Sequence, residues 1–282
     1  ILSVIFFTIM ILYIRLASDE VHSSIIVFFR NFFGILIIGP IFIRKGMELL
    51  KTSKLKLYVL RGFFGLIAMF TWFHGVTITP LAEAVALNFT MPLFVTLIAT
   101  LFLNEKVGWR RWLATLFGFG GAMIVLRPGY EQLSFGHLEL LFASFFMALS
   151  VITIKSLAST EPPERIVAYM LIIFAPASLI PAIFVWEWPS IIYLSYLAIV
   201  GISGTLAHLC FTRSLKKVDI TSIMPIDFAR LPLTAALAYI FFAEKPDLAT
   251  WIGGGIIFAS TIYIVNRETK INKNFKSNNH SL

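Results

Sequence analysis

Residues 62–119 return as residues 201–258, shifted by 139 positions, in a chain made almost entirely of apolar runs of membrane-crossing length. Gly62, Gly65, Ala68, Phe89, Ala99, Phe102, Glu105, Lys106, Trp112 and Phe119 match Gly201, Gly204, Ala207, Phe228, Ala238, Phe241, Glu244, Lys245, Trp251 and Phe258 without a gap. A unit carried twice must fit one fold in two copies. If each copy holds an odd number of membrane spans, the copies sit in opposite orientations, and a site is expected near the midplane between them.

The bilayer is the expected solvent. The chain is 58% hydrophobic and 13% charged, with 28 Phe and a mean hydropathy of +0.86, more apolar surface than a soluble fold of this length can hide. Reading apolar runs between charge clusters and breaks gives ten spans: 1–16, 22–43, 57–78, 81–103, 110–126, 137–157, 165–186, 190–212, 219–242 and 247–265. The first residue is not Met, so a short segment is expected ahead of it. Ile1 to Leu16 ends in Arg15 with no small-residue cleavage site, which reads as a span and not a signal peptide.

With the N-terminus cytoplasmic, the inner connections and tail hold 17 Lys/Arg and 6 Asp/Glu, the outer ones 2 and 7. The positive-inside rule then places both termini in the cytoplasm. The net charge of +8 belongs mostly to those inner segments, and no span-free region is large enough for a nucleic-acid-binding domain. Residues 267–282, rich in Asn, Lys and Ser, read as a disordered basic tail with weak attraction to anionic lipid. Cys210 stands alone, with no Cys or His at metal-ligand spacing, so no metal site and no cofactor are expected.

These features define an all-α polytopic membrane protein, with ten transmembrane helices as two inverted five-helix repeats, residues 1–128 and 137–266. The motifs are Phe29-Arg30 in span two, Pro80-Leu81-Ala82-Glu83-Ala84 opening span four, Pro92 within it, and Asn104-Glu105-Lys106 followed by Trp112. Ala243-Glu244-Lys245 with Trp251 repeats the last of these. Together they resemble the EamA-type branch of the drug/metabolite transporter superfamily. That resemblance implies a secondary transporter in a bacterial inner membrane, carrying a small polar or amphipathic metabolite such as an amino-acid-like, adenosyl or vitamin-type compound. Its motifs are nearly silent on substrate, direction and oligomeric state.

Charge inside hydrocarbon is costly, so residues that place it there are the site candidates. Asp227 and Arg230 lie inside span nine at spacing i, i+3 on one helix face. Either they hold a substrate's charged groups or they satisfy each other as an ion pair, with Arg30 of span two a third member. Arg15, Arg61 and Glu139 lie nearer helix ends, where they can snorkel. His74 and His208 either relay protons, coupling transport to a gradient or exchange, or hydrogen-bond a neighbouring helix. Trp72, Phe73, Phe89 and Phe211 offer an aromatic lining or ordinary core, Trp72 foremost because its indole N–H needs a partner. Asn88 is a ligand candidate on span four, and Glu83 marks a vestibule. Pro92, Pro225 and Pro232 read as kinks inside spans four and nine that shape a cavity or gate. Glu105 and Glu244, at helix ends beside a Lys, read as caps or pairing groups.

Three functions compete. Alternating access around spans three, four, eight and nine is the first, and a flippase for lipids or lipid-linked carriers uses the same fold. A membrane-embedded lipid-modifying enzyme needs a nucleophile or acid/base cluster, and none stands at suitable spacing. A P-loop is also missing from the sequence, which leaves a gradient, exchange or the substrate's own concentration as the drive.

Overall fold

The computed structural model describes residues 1–102, 109–126, 134–217 and 229–279, with no strand among them. The helices are α1 (Leu2–Ala17), α2 (Ser23–Lys45), α3 (Leu55–Ile78), α4 (Leu81–Asn88), α5 (Met91–Phe102), α6 (Trp109–Leu126), α7 (Phe135–Ala158), α8 (Pro163–Phe184), α9 (Ile191–Lys217), α10 (Arg230–Phe242) and α11 (Leu248–Asn279). Six stretches among the described residues are long and apolar enough to cross a membrane, one of them α4 and α5 taken together as Leu81–Ile98. Four shorter apolar helices fall on the expected first, fifth, ninth and tenth spans. The chain is a multi-pass membrane protein.

Span four is broken at its middle. Thr90 donates from its N–H and its hydroxyl to the Leu87 carbonyl, at 3.0 and 2.6 Å, closing α4. Its own carbonyl accepts from Leu93 and Phe94 as α5 begins. Pro92 is therefore not a kink inside a continuous helix: it is the second residue of α5. Pro232 sits likewise in the first turn of α10. An N–H there has no intrahelical acceptor, so proline gives up nothing and its fixed φ favours the start. Pro225 and Asp227 lie outside the described residues, as do Glu105 and Lys106.

Small residues set the helix spacing. A Cβ on Gly121 of α6 would stand 2.7 Å from the Gly253 carbonyl oxygen of α11, and one on Gly253 would stand 2.5 Å from that of Gly121. The two backbones touch there, which only glycine at both positions allows. Elsewhere α1 packs on α9 and α3 on α7, α2 on both α8 and α9, α3 also on α8, α4 on α10, α5 on α7 and α1 on α10. Replacing each helix by its counterpart in the other copy returns the same set of pairings.

Polar pairs tie the ends of the bundle. Where α3 meets α4, Glu244 accepts the Leu81 N–H at 2.9 Å, capping α4, and its other oxygen stands 3.5 Å from the Arg15 guanidinium. Arg15 also donates to the Val76 and Thr77 carbonyls. Ala243, at φ +55°, makes the left-handed turn that swings Glu244 toward α4. Glu83 bonds His137 at 2.8 Å, and His74 bonds Glu139 at 2.5 Å. At the α7–α8 end, Glu161 accepts from Arg165 and Thr52, and Arg165 reaches the Leu49 and Glu48 carbonyls. Burial pushes the Glu161 carboxyl up, but the hydrogen bonds from Arg165 and Thr52 outweigh it and hold the group below the usual carboxylate range.

The expectation of a disordered tail fails on the backbone, which stays helical to Asn279. No Gly or Pro falls between Gly255 and Asn279 to stop it.

Candidate functional site

Three arginines face one cavity in the middle of the bundle. About 170 Å³ in volume, it is lined by Arg30, Arg61 and Arg230, by Asn88 and His208, and by a wall that includes Trp72, Phe73, Phe174 and Phe211. The first and second halves of the chain both contribute, through α1 to α5 and through α7 to α10. Among the described lining residues there is no Asp or Glu.

The broken helices bring two of these groups together. Asn88 is the last residue of α4 and Arg230 the first of α10, and Arg230 Nη2 donates to Asn88 Oδ1 at 2.9 Å. The guanidinium carbon of Arg230 lies 5.7 Å from the ring centres of both Phe7 and Phe89, a cation between two π faces. Met91, the first residue of α5, lines the same space. Two helix N-termini, with their partial positive charge, thus meet the cavity.

Arg30 is 2% exposed and donates to Asn31 Oδ1 at 2.8 Å. Asn31 is held in turn by the Val27 carbonyl and by Ser178 of α8. The guanidinium fits because position 204 is glycine, where a Cβ would meet Arg30 Nε at 3.2 Å. Its counterpart in the first copy, Gly65, lies against the Phe174 ring, 2.6 Å from where its Cβ would be. The repeated glycines make room for cavity-lining side chains as well as for close packing.

Arg61 is the residue that sequence reasoning missed. It does not snorkel to an interface: it is 3% exposed, its guanidinium carbon lies 5.9 Å from the Phe174 ring centre, and among the described residues Nε and Nη1 have no hydrogen-bond partner. The signal was available as a stripe on α3, since Arg61, Gly65, Ala68, Met69 and Trp72 recur at helical spacing and all line the cavity.

Other candidates separate by position. Trp72, Phe73, Phe211, Asn88, Arg30, Arg230 and His208 reach the cavity, the last with its ring edge-on to Phe7 at 5.3 Å. His74 does not. It follows Trp72 and Phe73 around the helix, and its ring turns to Glu139 of α7. Glu83 is engaged by His137, a histidine at a span boundary that was not among the site candidates. Phe89 is not among the lining residues and meets the site through its ring, 5.7 Å from the Arg230 guanidinium carbon.

Comparison with known proteins places the chain among transporters. The model of the EamA-like transporter family matches residues 1–127 and again residues 134–266. An S-adenosylmethionine uptake transporter of Rickettsia bellii is 32% identical, over 90% of this chain and 87% of its own length. A riboflavin transporter of Vibrio cholerae is 33% identical over 78% and 75%. A pseudopaline exporter of Pseudomonas aeruginosa is 26% identical over 91% and 90%. One solved crystal structure, 18% identical, covers 94% of this chain and 98% of its own with a TM-score of 0.66, a likeness of fold alone.

Proposed function

The chain belongs to the EamA-like transporter family, and from that premise we propose a secondary transporter that moves a small polar or amphipathic metabolite by alternating access. Its two halves are inverted five-helix units, and the cavity between them is the substrate site. The observation that carries this is the Asn88–Arg230 contact. Spans four and nine, counterparts in the two copies, meet through it at the cavity, α4 ending and α10 beginning there. Broken helices that offer their ends to a midplane cavity are how such folds hold charged substrates. The main helix pairings have counterparts on exchange of the halves, which supports a repeated unit.

The relatives' names narrow the chemistry. Adenosyl and flavin compounds join a flat heteroaromatic ring to polar groups, and the cavity offers Trp72, Phe73 and Phe174 beside Asn88 and three guanidiniums. An amino-acid-like, adenosyl or vitamin-type compound is the class that this wall accommodates. Both termini are assigned to the cytoplasmic side of a bacterial inner membrane from the Lys/Arg bias of the connections. If transport is coupled to protons, His208 is the histidine placed to take part, because it faces the cavity and His74 does not.

The test is flux into proteoliposomes with S-adenosylmethionine, riboflavin and a panel of amino acids, with and without a pH gradient. Uptake of one of them, lost on Arg230→Gln, is expected. No flux of any across a panel that covers all three classes would remove the reading.

A further inference from the structure

Arg61 is a cation that the fold buries without an ion pair among the described residues. Breaking a buried ion pair leaves an unpaired charge that costs several kcal/mol. A guanidinium deep in an apolar bundle is equally expensive unless something supplies its partner. Among the described residues Arg61 Nε and Nη1 are buried without a hydrogen bond, and the guanidinium carbon lies 5.9 Å from the Phe174 ring centre. One turn earlier on α3, Tyr58 Oη is also buried and, among the described residues, without a hydrogen-bond partner, its ring stacked on Tyr169 at 4.1 Å. Arg30 lines the same cavity with its guanidinium held in place by Asn31. Among the described residues no carboxylate lines the space between them.

We propose that Arg61, with Arg30 facing the same space, is an oxyanion subsite, and that the transported metabolite carries a carboxylate or phosphate beside a flat ring. The oxyanion pairs with the Arg61 guanidinium, a group able to match such anions bidentately, while the ring lies against Phe174 and Trp72. This deepens the transporter reading and rests on it for the word substrate. The binding chemistry stands on the cavity alone.

The experiment measures dissociation constants on the purified full chain for two matched pairs, indole-3-acetate with indole-3-acetamide and flavin mononucleotide with riboflavin. The first pair isolates a carboxylate, the second a phosphate. In at least one pair the acid binds roughly tenfold tighter or more, the value of a hydrogen-bonded charge. Arg61→Gln removes that preference and leaves the neutral member within about twofold. If Arg61→Gln does not fold, Arg61→Lys takes its place and cuts the preference by roughly threefold or more, because it keeps the charge and loses the fork. Equal binding of acid and neutral member in both pairs, a preference that survives substitution, or no binding by any of the four overturns the proposal. A protein that carries its metabolite yet shows no acid preference keeps the transporter reading and loses the subsite. One that shows the preference without flux does the reverse.

Discussion

The ends of this bundle and its middle treat arginine differently. At the ends Arg15 finds Glu244, Arg165 finds Glu161 and Arg213 finds Glu164 at 2.8 Å, so each charge is answered within the protein. In the middle, among the described residues, Arg30 has the amide oxygen of Asn31 and Arg61 has two nitrogens with no hydrogen-bond partner. Hydrophobic length alone requires neither arrangement. The ends hold the fold together, and the middle spends stability on charge that it does not use to hold itself together. Such an expense is typical of sites, where a ligand completes what folding leaves open.

That contrast can be broken at either side. The largest effect is expected in the middle: Arg230→Gln deletes the donor to Asn88 and the cation between Phe7 and Phe89, and should lower transport by roughly tenfold or more. Flux per folded protein is the readout, and a rate equal to wild type would mean that the middle is as structural as the ends. At the α3–α4 end, Glu244→Ala strips the cap from Leu81 and the partner from Arg15. A loss of about 2 kcal/mol is expected, with ligand affinity unchanged. Unfolding in detergent by denaturant checks it, and a loss of affinity without a loss of stability would contradict the division.

A smaller, pH-dependent effect is expected at the α7–α8 end. The Glu161 carboxyl is held below its ordinary value in the folded protein, so the unfolded chain binds its proton first as pH falls. Its contribution is complete above roughly pH 5 and drains away as acid takes the pH through and below the ordinary carboxylate value of about 4.3. Glu161→Gln should flatten that acid limb of melting temperature against pH and leave neutral-pH binding alone. A limb as steep as wild type would show that other carboxylates carry it. The smallest effect belongs to His74→Gln, which breaks the bond to Glu139 at an end and should leave ligand affinity within about twofold. A tenfold change there would place His74 back among the binding groups.

How much of this was legible beforehand differs from residue to residue. Arg30 and Arg230 stood out because a charge deep within an apolar run is anomalous in one dimension. Asn88 was found as a polar residue on span four, a span read as shaping the cavity. Arg61 was passed over for its nearness to a helix end, although at 1.5 Å per residue it lies about 9 Å into α3, and only the stripe it shares with Gly65 and Trp72 gives it away. His74 took the second of its two readings, a hydrogen bond to a neighbouring helix. Adjacent residues on a helix point about 100° apart, so its proximity to Trp72 in sequence was evidence against a shared face.

By itself the sequence determined the solvent, the number of apolar runs and the repeat, because hydrophobic length and self-similarity are properties of a string. It also named the family through its motifs. Which charges meet was decided only by the tertiary structure. Whether Glu244 reaches Leu81, whether Arg61 faces a cavity or an interface, and whether a proline kinks a helix or begins one depend on rotation and depth within the bundle. Those are fixed by packing between residues as far apart in the chain as Asn88 and Arg230, and no local pattern records them.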